Sequence, residues 1–156
     1  MSEFKSWDEA AYVWVTRLCA QAESRVMPHF DPARVRDEAA DIAFNPSIMH
    51  GTSKQQLFVC FDELGSWALQ NLDNDTIEGI AKLLVYKQRR YGCANILRFG
   101  FQGIVIRMSD KVERILQQQH RQDVDDEDPF VDLVGYAVIA HMVNDQSFTL
   151  PLLEDQ

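Results

Sequence analysis

At 156 residues, with 46% apolar and 25% charged side chains, the chain is long enough to bury a core and has the balance of an ordinary globular domain. A net charge of −9 argues against nucleic acid as the main ligand, and no run of about 18 apolar residues exists to span a membrane. The start MSEFKSWDEAAYVW lacks a signal-peptide pattern, so the cytoplasm is the expected compartment.

The elements read as helices almost throughout. Ser6 with Glu9 makes a capping box that opens a helix from Trp7 to about Ala22. Asp31-Pro32 opens a second in the same way, running to about Phe44, where Asn45-Pro46 stops it. Residues 45–53 read as a loop, and a third helix follows from about Lys54 to Leu72. Asp75 with Glu78 suggests another capping box and a fourth helix to about Arg90, closed at Gly92 by a left-handed turn. Residues 93–102 fit either a loop or a short strand. Ile104, Met108, Val112 and Ile115 recur at helical spacing, which predicts a fifth helix from about Gly103 to Gln119. The linker HRQDVDDED is polar. Asp128-Pro129 then caps a last helix to about Asn144. This helix is apolar on nearly all sides, which requires burial in a bundle centre or a subunit interface. The tail from Ser147 looks peripheral. Cys19, Cys60 and Cys93 are far apart, as reduced structural thiols are, and the four histidines show no metal-ligand spacing.

Chemistry concentrates between Lys87 and Tyr136. A basic block of Lys87, Arg89, Arg90, Arg98, Arg107, Lys111 and Arg114 gives way to an acidic one of Asp123, Asp125, Asp126, Glu127, Asp128 and Asp132. Cations bind phosphate oxygens and clustered carboxylates hold Mg²⁺, so the pairing suggests a metal-dependent enzyme acting on a nucleoside triphosphate. Asp132 heads an apolar helical stripe with Tyr136, Ile139, Ala140 and Val143, where an ionised carboxylate needs a partner: an arginine, a helix N-terminus or a metal. Asp128 sits one turn earlier. Spacing alone leaves open whether Asp128 is only a cap and Asp132 only a first-turn acid favoured by the helix dipole. Asp110, amid Arg107, Lys111 and Arg114, fits a solvated charged face as well as a site. The pair Asp62-Glu63 reads as a solvated face.

The string KQRRYGCANILRFGFQGIVIRMSDKVERI, followed by DEDPFVDLVGYAVIA, resembles the MazG-like all-α nucleotide pyrophosphohydrolases, nearest a nucleotide-modification-associated branch common in bacteriophages. The family pattern falls on Lys87, Tyr91, Gly92, Arg107, Asp110, Lys111, Arg114, Glu127, Asp128, Asp132, Leu133, Tyr136 and Ala137, within about residues 76–143. The chain departs from it with Arg90 before Tyr-Gly, and with Asp110-x-x-Glu113 and Asp128-x-x-x-Asp132 where the superfamily has Glu-x-x-Glu and Glu-x-x-Asp. The resemblance implies an all-α MazG-like catalytic core over 73–146; the N-terminal helices over 1–72, which match no family pattern, are expected to pack on it as a helical extension, with a tail over 147–156. It implies Mg²⁺-dependent hydrolysis of a nucleoside triphosphate, a purine deoxynucleotide by the nearest branch, to the monophosphate and pyrophosphate, with Mn²⁺ able to replace Mg²⁺. Asp110, Glu113, Glu127, Asp128 and Asp132 would hold metal; Lys87, Arg90, Tyr91, Arg107, Lys111 and Arg114 would bind substrate; and Asp110, Lys111 and Asp132 would act in catalysis. Such enzymes form homodimers or homotetramers, and the last helix would supply the interface, with Tyr136 and Ala140 against a partner helix. The altered acidic motif motivates a rival expectation, a catalytically idle nucleotide-binding or protein-interaction module on the same fold.

Overall fold

In the computed structural model, residues 2–45, 51–72, 76–118 and 128–153 are described. They form helices α1 (Trp7–Ser24), α2 (Pro32–Phe44), α3 (Gly51–Gln70), α4 (Ile77–Tyr91), α5 (Ala94–Gln118) and α6 (Pro129–Asn144), then a single 3₁₀ turn, Ser147–Thr149. The architecture is all-α, with no strand among the described residues. Among the described residues no helix is long and apolar enough to cross a membrane.

Local chemistry explains where the helices begin. The hydroxyl of Ser6 accepts from the Glu9 amide at 3.1 Å. Glu9 reaches back one residue beyond a standard capping box, its carboxylate accepting from the Lys5 amide at 2.9 Å. Asp31 accepts from the amides of Ala33 and Arg34, and Asp128 from that of Phe130 at 2.9 Å. Each precedes a proline, whose missing N–H would be unpaired in the first turn anyway. At α4 the cap is Thr76, its hydroxyl accepting from Gly79 at 2.9 Å; Asp75, expected in that role, lies outside the described residues.

The uncertain segment 93–102 is helical from Ala94, where α5 starts, except at Gly100. It kinks at Gly100 (φ 60°, ψ −145°), a conformation that favours glycine, and resumes at once. Gly92 closes α4 at φ 69°, its amide donating to the Gln88 carbonyl at 2.8 Å.

Helix α6 is the centre of the bundle. It packs most extensively on α3 and α5, and also touches α1 and α4. Its buried residues point in every direction, Leu133, Val134, Ala137, Val138, Ala140 and Met142 among them. The all-round apolarity is therefore met within one chain. Ala140 is fully buried there and cannot rest against a partner helix, whereas Tyr136, one turn earlier, is half-buried. The close neighbour is α3: a Cβ added at Gly65 would lie 2.8 Å from the Cβ of Ala137 and 3.0 Å from Leu18. Replacing glycine by alanine inside a helix gains up to about 1 kcal/mol, whereas overpacking a rigid contact costs about 1–3 kcal/mol. Gly65→Ala should therefore lower the urea midpoint despite its better helix propensity; an unchanged or raised midpoint would show that α3 and α6 can separate freely.

The tail is part of the core, contrary to its peripheral reading. Phe148 and Leu152 are buried, and the Pro151 carbonyl accepts from the Trp7 amide at 2.9 Å. Asp8 accepts from the Leu153 amide, so both ends of the described chain are tied together. Burial pushes the Cys60 thiol up to about 12, helped by the negative charges of Glu38 and Glu63, which keeps it an inert core thiol.

Candidate functional site

Helical periodicity gathers the site. Lys87 and Tyr91 lie one turn apart on α4, Arg107 and Lys111 one turn apart on α5, and Asp132, Tyr136 and Ile139 share a stripe of α6. All line one open cavity of about 220 Å³ between these helices. Trp7, at the start of α1, and Phe148, from the 3₁₀ turn, line it too, with Leu83, Leu84, Gln88, Gly92, Ile96, Val131 and Gly135.

Asp132 is the electrostatic centre. Its side chain is only 6% exposed. Its Oδ1 accepts from Lys87 Nζ at 2.5 Å. Its Oδ2 lies 3.1 Å from Lys111 Nζ, within ion-pair range but off the angle of a hydrogen bond. Two ammonium groups face this buried carboxylate and offset the cost of its burial. Arg107, one turn before Lys111, adds a third cation to the lining. Among the described residues the cavity thus sets three cations against one carboxylate, the reverse of the chain's overall sign. Such a wall suits phosphate oxygens, which Lys and Arg bind by charge-assisted hydrogen bonds.

Other expected site residues stand elsewhere. Asp110 is exposed on α5 and does not line the cavity. Glu113 is exposed and accepts from Arg36 of α2 at 2.7 Å. Arg114 is half-buried and outside the cavity lining. Arg90 is exposed, donating to the Tyr86 hydroxyl at 3.2 Å. Asp128 is exposed and serves as the cap of α6. Glu127 lies outside the described residues. Tyr91 stands at the cavity mouth, 69% exposed.

No three His, Cys, Asp or Glu side chains gather among the described residues to share a metal ion. Mg²⁺ takes about six oxygens in octahedral geometry. Among those residues the cavity offers only the carboxylate of Asp132, and both its oxygens already face lysines. As described, the residues do not fit a preformed Mg²⁺ centre; they fit an anion.

Two features of the structure had no signal in the sequence reading. Trp7 and Phe148 join the cavity from the two ends of the chain, their rings 6.1 Å apart. Asp62, read as a solvated face, is half-buried and pairs with His141 Nε2 at 2.6 Å. The His141 ring stacks on Trp14 at 4.2 Å, and Trp14 Nε1 donates to Asp145 at 2.8 Å. This cluster ties α1, α3 and α6 together away from the cavity. Comparison with protein-family models, with curated proteins and with solved structures gives no match.

Proposed function

We propose that the cavity binds the phosphates of a nucleoside triphosphate, and that the chain is a MazG-like pyrophosphohydrolase releasing a nucleoside monophosphate and pyrophosphate, with purine deoxynucleotides as the first substrates to test. One observation carries the reading. Seven residues of the resemblance pattern, Lys87, Tyr91, Gly92, Arg107, Lys111, Asp132 and Tyr136, come from three helices and line one cavity.

In this reading Lys87, Arg107 and Lys111 hold phosphate oxygens, while Asp132 fixes the two ammonium groups and keeps them from collapsing onto solvent. The reaction forms a bond from a water oxygen to the α-phosphorus and breaks the bond from that phosphorus to the bridging oxygen. Pyrophosphate leaves with the electron pair, and the water proton passes to solvent. Cations preorganised beside the departing group stabilise the charge it gains. No step is assigned to Mg²⁺, because the described residues do not form a centre for it.

The single carboxylate that the described residues bring to the cavity favours a second reading, nucleotide binding without turnover. A panel of ribo- and deoxynucleoside triphosphates, with and without Mg²⁺ and with products identified by ³¹P NMR, separates the two. Monophosphate with pyrophosphate is the expected result. Binding with no product selects the second reading, and neither binding nor product removes both.

A further inference from the structure

Between Gly79 and Ser109 stand six cations, Lys82, Lys87, Arg89, Arg90, Arg98 and Arg107, and no Asp or Glu, in a chain of net charge −9. The same stretch leaves large rings in water: Tyr86 is 54% exposed and Tyr91 69%. Apolar groups exposed together, unlike those scattered singly, mark an interaction site. Contacts make this surface continuous with the cavity. Tyr91 lines the cavity mouth. The Arg90 guanidinium lies 5.7 Å from the centroid of the Tyr91 ring and donates to the Tyr86 hydroxyl at 3.2 Å. Lys82, one turn before Tyr86, continues the exposed stripe of α4. From Tyr91 to Lys82 the stripe runs roughly 13 Å at 1.5 Å per residue, farther than the one nucleoside of a free nucleotide reaches. Rings alternating with cations suit a single strand of nucleic acid: bases of any sequence stack on the rings, and the cations follow the backbone phosphates. An acidic peptide would engage the cations equally, but two exposed rings favour planar bases.

We propose that the cavity takes the 5′-triphosphate end of a single-stranded RNA, with the triphosphate among Lys87, Arg107 and Lys111 and the following nucleotides laid along Tyr91, Arg90, Tyr86 and Lys82. The inference rests on the proposed phosphate site and deepens it by naming the substrate class. A 5′-triphosphate is the end that an RNA chain carries when its synthesis starts without a primer, and a free nucleotide is then a fragment of the substrate. The net charge of −9 disfavours coating a nucleic acid, not holding one end of it on a basic stripe. The bond changes stay the same. Water oxygen bonds to the α-phosphorus and the bond to the bridging oxygen breaks. Pyrophosphate leaves with the electron pair, the water proton passes to solvent, and the strand keeps a 5′-monophosphate.

The test compares three ligands by calorimetry: a purine nucleoside triphosphate, a short unstructured RNA with a 5′-triphosphate, and the same RNA with a 5′-hydroxyl. The triphosphorylated strand should bind at least about tenfold tighter than either of the others, and should yield pyrophosphate and a 5′-monophosphorylated strand. Tyr86→Ala should remove about tenfold of the affinity for that strand and leave the free nucleotide within about twofold. Tyr86 is exposed and outside the cavity lining, so the variant should keep its fold. A strand bound no tighter than free nucleotide, or bound equally well by Tyr86→Ala, overturns the inference and leaves the nucleotide reading standing. Equal binding of the two strands overturns it as well, because the stripe then acts apart from the cavity. Poly-glutamate that matches the strand's affinity, with the same dependence on Tyr86, gives the surface to an acidic protein partner instead. Binding of both triphosphates that survives Arg107→Ala unchanged removes the phosphate site, and the inference with it.

Discussion

Asp132→Asn should destabilise the fold as well as abolish turnover. The amide keeps the volume but removes the charge that faces Lys87 at 2.5 Å and Lys111 at 3.1 Å. Lys111 has a side chain only 12% exposed, so its ammonium group would stay partly buried without a counter-charge. Breaking a buried pair from one side costs about 3–5 kcal/mol. Lys87 is 32% exposed and can turn towards water, which lowers the expected loss to about 2–4 kcal/mol. For a chain of this size that is a fall in Tm of roughly 5–15 °C. A double-mutant cycle of Asp132→Asn with Lys111→Met should then show coupling, since the double variant removes both charges and leaves less buried charge unpaired. A Tm within a degree or two of the native value for Asp132→Asn would mean that the lysines do not depend on Asp132.

Arg107→Ala should weaken nucleotide binding roughly ten- to a hundredfold. A hydrogen bond from a charged donor is worth about 1.5–3 kcal/mol, and 1.4 kcal/mol is tenfold in Kd. An exposed ion pair rarely exceeds about 1 kcal/mol, so a loss of this size cannot come from a solvated face. Arg107 is the cleaner probe than Lys111, whose removal also disturbs Asp132. Arg90→Ala is the control, because Arg90 is exposed and outside the cavity lining; it should change Kd by no more than about twofold. Equal effects at Arg107 and Arg90 would turn the whole basic block into a general electrostatic field.

What the sequence made legible was local. Asp31-Pro32 and Asp128-Pro129 marked helix starts because an aspartate cap and a proline act within one turn. The periodic apolar residues of α5 and α6 identified buried faces, and a carboxylate heading such a stripe identified Asp132. What failed was set by distant contacts. The glycines at 100 and 103 interrupt the periodicity, and the backbone does leave helical geometry at Gly100, with helix on both sides of it. The all-round apolar surface of α6 was compatible with a partner helix, and only the placement of α3 and α5 showed that one chain covers it. The resemblance placed Glu113 among the metal ligands, but its face of α5 meets Arg36 of α2. Trp7 and Phe148 are separated by almost the whole chain, so nothing in either neighbourhood pointed to a shared wall.

The most direct test of the central claim is a crystal structure with a non-hydrolysable purine deoxynucleoside triphosphate analogue. Phosphate oxygens are expected within hydrogen-bond distance of Lys87, Arg107 and Lys111. Phosphates bound anywhere else on the chain, with the Lys87–Asp132–Lys111 group undisturbed, would contradict it.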